Sequence, residues 1–226
     1  RTMPDPDKGL WHVALSVLSC VLFMLVGPVL IMVNKRIMNE AGFPFPIMLS
    51  ALGVVSSTVL ARVAVRLGLG AVAERNAELL SGANWFQRVL PLGAMHALTL
   101  VFGNWAYMHL GVGFIQMLKA GTPALVLLAM VAFRLGTPTL PVIGCVLLIT
   151  AGTLATTWAA PEWSPVGLAL MLGSNVCEAV RLVLTQYLMA SRKLSVLEGQ
   201  YILSPAGSAC LVAAAVALEL PEALRT

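Results

Sequence analysis

The sequence predicts an all-α, polytopic membrane protein of about seven transmembrane helices, and three observations carry that prediction. Apolar residues make up 59% of the 226 positions, and Asp, Glu, Lys and Arg together only 11%. A soluble domain of this size has no interior large enough to hide so much apolar surface. Mean hydropathy is +0.89, and the apolar residues gather into runs of about 20, the length that crosses a hydrocarbon core of roughly 30 Å. The breaks between runs are mostly short and hold Gly and Pro.

The first run, residues 10–33, contains Pro28, where a kink is predicted. It leads into Asn34-Lys35-Arg36 and a turn punctuated by Gly42, Pro44 and Pro46. The second, 46–68, is interrupted by Arg62 near its end. The one long connection, 69–87, holds Glu74, Arg75, Glu78 and Trp85, which suit either a short amphipathic helix on the membrane surface or a solvated loop. The third run, 88–109, carries His96, Thr99, Asn104, Tyr107 and His109. The fourth, 112–134, is separated by Thr137, Pro138 and Pro141 from the fifth, 138–158. There Gly144, Leu148 and Gly152, four apart, predict close helix packing. The sixth run is 163–189, and the seventh, 197–218, is predicted to kink at Pro205. Short turns predict antiparallel neighbours.

The formal charge of +4 is spread over loops and not gathered in a patch, which excludes nucleic acid as a partner. On one side fall Arg1, Lys8, Arg66, Arg75, Arg88, Arg134, Arg192 and Lys193; on the other, Lys35, Arg36 and Arg225. This bias predicts a cytosolic N-terminus. A seven-helix receptor needs the opposite orientation and is the remote alternative. Cys20, Cys145, Cys177 and Cys210 lie inside apolar runs and read as small core residues. The chain opens on Arg1 and ends a few residues after an odd span, so the sequence is expected to continue at both ends.

Two cations sit inside the runs, Lys119 in the fourth and Arg181 in the sixth. A cation at the centre of a span costs about 2.5 to 3.5 kcal/mol on insertion scales, so holding an anion is the simplest reason to carry it. Gln116 and Thr122, each three residues from Lys119, extend a polar stripe along one face. Pro123, lacking an N–H, frees the carbonyl of Lys119 for the same cavity. Arg181 belongs to the stripe Ser174, Glu178, Arg181, Thr185, in which Glu178 either orients the guanidinium toward an anion or neutralises it in a structural pair. Asn104 and Tyr107 are candidates for neutral contacts that set orientation, whereas His96 and His109 read as packing residues.

The first and sixth runs end alike: Leu49 lies fifteen residues after Asn34, and Tyr201 fifteen after Gln186. A five-span repeat has an odd number of crossings, so its second copy is inverted, as in many secondary transporters. Residues 10–158 are then the first repeat and 163–226 the start of the second. Tyr201 joins the candidate substrate contacts. GxSxG, HExxH and a Gly-rich phosphate loop are all absent, so the chain is read as a transporter without cofactor or metal and not as an enzyme.

Three segments carry a resemblance: GVGFIQMLKAGTP at 111–123, EAVRLVLTQYLM at 178–189 and NKRIMNEAGFPFPI at 34–47. They resemble the triose-phosphate and nucleotide-sugar transporter family of the drug/metabolite transporter superfamily, in the wording of its sugar-phosphate/phosphate translocator-like branch. The resemblance implies ten helices in two inverted five-helix repeats. It also implies antiport of a phosphorylated metabolite for phosphate, or of a nucleotide-sugar for a nucleotide monophosphate. Lys119 matches the family's fourth-helix lysine that faces phosphate, and Arg181 a polar or basic sixth-helix position lining the same cavity. The family's ninth-helix basic pair would lie beyond Thr226, so the substrate subgroup stays open. The partners implied are a phosphorylated small molecule, its counter-substrate and the lipid bilayer, with a homodimer as an open alternative. Golgi or another endomembrane is the expected location, and the plastid inner envelope is the alternative. A general drug/metabolite exporter shares the fold and remains the alternative function.

Overall fold

A computed structural model describes residues 6–40, 45–69, 73, 76, 78–158 and 164–223. The predicted turn at 41–44, the end of the turn before the sixth span, and Arg1, Glu74, Arg75 and Arg225 lie outside them. Every regular element among the described residues is helical. In order, α1 is Pro6–Glu40, α2 Pro46–Arg66, α3 Leu90–His109, α4 Val112–Lys119, α5 Thr122–Ala132, α6 Leu140–Trp158, α7 Pro165–Arg192, α8 Val196–Leu218 and α9 Leu220–Ala223. Seven helical stretches are long and apolar enough to span: Val13–Asn34, Pro46–Arg66, Gly82–His109, Val112–Ala132, Leu140–Thr157, Pro165–Arg192 and Val196–Leu218. They coincide with the seven predicted runs to within a few residues. Helix is the expected choice, because it satisfies backbone N–H and C=O groups within each segment where no water is available.

The chain divides into two compact units, Arg1–Pro46 and Ile47–Thr226. The described part of the first is α1, a 35-residue helix with Pro28 inside it and exposed apolar side chains from Val13 to Val33.

In the second unit α3 is the axial helix, packed chiefly against α7 and α8. Three apolar clusters follow its length. Val89 and Leu92 meet Leu188, Leu194, Ile202 and Ala206 at its start. Ala97 and Val101 meet Ile47, Ala51, Leu211 and Ala215 midway, and Ala106 and Leu110 meet Phe114, Ile115, Leu118 and Met171 at its end. The closest approach is at Gly93, where an added Cβ would lie 2.5 Å from the carbonyl carbon of Ala206 and 2.7 Å from the nitrogen of Gly207.

Glycine therefore permits close packing, but not where the sequence placed it. A Cβ at Gly144 or Gly152 meets nothing within 4 Å, and Leu148 is 77% exposed. That face of α6 has no partner among the described residues of this chain. The connection 69–87 also differs from both expectations. Asn76 and Leu79 are fully buried, a 3₁₀ turn runs Glu78–Leu80, and a π-turn at Trp85–Val89 feeds α3. Its described residues neither lie on the surface as one amphipathic helix nor form a plain solvated loop.

Two buried glutamates bracket α8. At its start, Ser195 and Glu198 form a capping box, with the Ser195 hydroxyl accepting from Glu198 N (3.2 Å) and the Glu198 carboxylate accepting from Ser195 N (3.3 Å). The other oxygen of Glu198 accepts from Ala73 N (2.9 Å) and from Asn76 Nδ2 (2.8 Å). Just past its end, Glu219 accepts from Ile47 N (2.8 Å) and Met48 N (2.7 Å), the first donors of α2. A carboxylate on the positive end of a helix gains from both hydrogen bonding and the helix dipole. The Glu219→Gln substitution puts an NH₂ against one of those N–H groups. A destabilisation of about 2 to 3 kcal/mol is expected, seen as a lowered thermal midpoint of the intact protein in detergent.

Candidate functional site

The fourth span is built in two pieces, and the join carries Lys119. The residue at position 123 has no N–H to continue the ladder, so α4 ends at Lys119 and α5 begins at Thr122 with Pro123 in its first turn. Between them Ala120 N reaches both Gln116 O and Met117 O at 3.2 Å, and Gly121 N reaches Leu118 O at 3.2 Å. The join is held from α7: buried Asn175 donates from Nδ2 to Leu118 O at 3.1 Å. Its Oδ1 is buried without a hydrogen-bond partner among the described residues. Lys119 is half-buried beside this clamp.

Lys119, Thr122 and Pro123 line an open-sided cavity of about 690 Å³ between α5, α6 and α7. Glu178 of α7 lines it too; the remaining lining is aliphatic or Met. Such a chamber, apolar with few convergent polar groups, is the usual form of a small-molecule site.

The structure does not bring Arg181 into that cavity. Arg181 and Thr185 line a second one, about 380 Å³, between α2, α3, α7 and α8, with His96, Ser57, Gln200 and Ser204. Glu178 and Arg181 are three residues apart on α7, neighbours on one face, yet Glu178 lines the first cavity and Arg181 the second. Arg181 Nη2 approaches Glu178 Oε1 at 3.9 Å, an ion pair too long for a hydrogen bond, and both side chains keep about a quarter of their surface open (25% and 29%). The buried atoms Arg181 Nε, His96 Nδ1 and Ser204 Oγ have no hydrogen-bond partner among the described residues. Buried polar atoms are ordinarily satisfied, so three such atoms around one chamber give it the polar groups to bind a polar guest.

The other predicted contacts lie elsewhere. Asn104 donates to Ser50 Oγ at 3.0 Å, and Tyr107 pairs with the exposed Gln116 while packing on the cluster at the end of α3. None of these three lines the Lys119 cavity. Tyr201 packs on the cluster at the start of α3 and lines neither chamber. His96, read from sequence as a packing residue, is part of the Arg181 chamber. Sequence reading also passed over Asn175 and Gln200. A buried Ser174-Asn175 pair inside an apolar run was the available signal; Ser174 donates to Thr99 O at 2.8 Å.

Comparison with known proteins agrees with this architecture. The family model described as the Triose-phosphate Transporter family matches residues 14–225. A probable sugar phosphate/phosphate translocator of Arabidopsis thaliana is 30% identical over 85% of this chain and 58% of its own length. A second from the same plant is 28% identical over 96% of this chain and 64% of its own, and a third 29% identical over 91% and 58%. The chain thus spans about three-fifths of the length of these relatives. No solved structure matches. Seven apolar spans, a cation at a proline join in the fourth and a family match over nearly the whole sequence lead to one conclusion: the chain belongs to the Triose-phosphate Transporter family.

Proposed function

We propose that the intact protein is an antiporter of phosphorylated organic anions, exchanging them for phosphate or for a related monophosphate by alternating access. The observation that carries the reading is Lys119, half-buried in a chamber of about 690 Å³ with Thr122 at the first turn of α5. Ammonium, hydroxyl and the positive end of a helix are the three donors that phosphate oxygens take up. Exchange follows from the same group: an ammonium left without its anion resists reorientation through an apolar barrier, so an anion is needed in each direction. The relatives' printed names, sugar phosphate/phosphate translocators, support the sugar-phosphate version. A nucleotide-sugar cargo is the version they do not name.

Arg181, with His96, lines the neighbouring chamber and is proposed as a second anion contact there. The Arg181→Lys substitution keeps the charge and loses the planar fork. It is expected to raise the substrate KM about tenfold with a smaller change in maximal rate, read from the concentration dependence of uptake; unchanged KM removes Arg181 from the site.

The ten-helix plan is part of the proposal, with residues 10–158 as one five-helix repeat and its inverted copy beginning at 163. In it α2 and α8 are equivalent, and a glutamate carboxylate accepts backbone N–H at the start of each: Glu219 from Ile47 and Met48, and Glu198 from the N-cap residue Ser195. Contacts of residue 47 with 219 and of 73 with 198 make the two helices antiparallel, as inversion requires. An endomembrane location with a cytosolic N-terminus is our placement, supported by the basic-residue bias.

The test is uptake of labelled phosphate by liposomes holding the intact protein, with and without internal phosphate. Uptake that ignores the internal anion rejects exchange. A drug/metabolite exporter of the same fold would be insensitive to competition by inorganic phosphate.

A further inference from the structure

The Lys119 chamber holds one group that an anion site does not call for. Of its ten lining residues only Lys119, Thr122 and Glu178 carry polar side chains, and the third is a carboxylate. Glu178 is not consumed by its neighbour. Its contact with Arg181 is 3.9 Å long, beyond hydrogen-bond reach, and the guanidinium lies in the other chamber. Its oxygens therefore remain acceptors for whatever occupies the space in front of Lys119. A carboxylate accepts hydrogen bonds and donates none.

We infer that Glu178 determines specificity at this site: it admits phosphate esters whose far end bears neutral hydroxyl donors and rejects those whose far end bears a carboxylate. The inference rests on the reading of Lys119 as the phosphate contact. A phosphate ester anchored there extends its carbon skeleton into a chamber where the other polar wall is Glu178. A hydroxyl at the far end donates to it. A second anion meets like charge at Glu178, and an unfavourable juxtaposition of this kind discriminates more sharply than a lost attraction. Inorganic phosphate has no far end and is unaffected, which leaves it free to serve as the counter-ion of exchange.

The experiment is competition against labelled phosphate uptake into phosphate-loaded liposomes holding the intact protein. Glycerol 3-phosphate and 3-phosphoglycerate have the same carbon skeleton and differ in hydroxyl against carboxylate. The wild type is expected to need about tenfold or more 3-phosphoglycerate for half-inhibition. Glu178→Gln is expected to bring the two within about threefold, by tighter 3-phosphoglycerate and not by weaker glycerol 3-phosphate. A second arm needs no variant: the methyl ester of 3-phosphoglycerate, with its far end neutral, should inhibit the wild type nearly as well as glycerol 3-phosphate. Equal inhibition by the two acids in the wild type overturns the inference. So does an unchanged ratio in Glu178→Gln while phosphate uptake persists. Failure of the wild type to take up phosphate at all sinks the transport reading itself, a different result from either.

Discussion

Lys119→Met is expected to cripple the proposed anion exchange while leaving the protein at least as stable. An ammonium about 4 Å from a phosphate oxygen, at an effective dielectric near 20, contributes about 4 kcal/mol before desolvation. Removing it is expected to lower exchange by a factor on the order of a hundred or more. The direction of the stability change separates this from damage to the fold. A cation in mid-span is unfavourable by about 2.5 to 3.5 kcal/mol on insertion scales, and Met is apolar, flexible and close in length. Lys119 makes no ion pair with another described residue, so nothing is orphaned when it goes. Exchange rate and thermal midpoint should therefore move apart. Loss of both together, with aggregation, would assign Lys119 to folding instead.

Gly93→Ala is the substitution expected to cost the most stability. Its new methyl would lie 2.5 Å from the carbonyl carbon of Ala206, 2.6 Å from Ala206 Cβ and 2.7 Å from Gly207 N. Two of these are backbone atoms and have no rotamer to escape into, so α3 and α8 must separate by about 1 Å. Overpacking of this kind costs about 1 to 3 kcal/mol and more where backbone has to shift. Thermal unfolding in detergent should show the midpoint fall by several degrees. Adding Ala206→Gly removes one of the three clashes and is expected to recover only part of the loss. Full recovery would mean that the helices meet through side chains alone. Gly93 also lines the Arg181 chamber, so separation of the helices should weaken substrate binding as well.

The spans were legible because hydropathy alone decides whether a segment can cross a bilayer. Lys119 was legible for the complementary reason: an ammonium in an apolar run is an anomaly that needs no partner to be noticed. The division into two chambers was not. Glu178 and Arg181 look like one stripe at a spacing of three, yet three residues turn about 300°, leaving the pair some 60° apart. That offset leaves them neighbours on one face of α7, in contact at 3.9 Å, yet it is enough for each to line a different chamber. The roles of Asn175 and Glu219 were invisible because their partners are 57 and 172 residues away. The cap of α8 was readable, since Ser195 and Glu198 have the spacing of a capping box. The unfilled face of α6 shows the opposite error, a glycine spacing that promised packing which no described residue of this chain supplies.

The carboxylates at the two ends of α8 bear on how the molecule changes shape. Slipping α8 lengthwise would strip charge-assisted hydrogen bonds from Ile47 and Met48 at the start of α2 and from Ala73 and Asn76 in the connection after it. Between the ends α2 and α8 are joined by Gln200 Nε2 donating to Ser57 Oγ at 2.7 Å, and both residues face the Arg181 chamber. The two carboxylates thus fix the register of α8 at both ends, and the chamber between those ends keeps a fixed length.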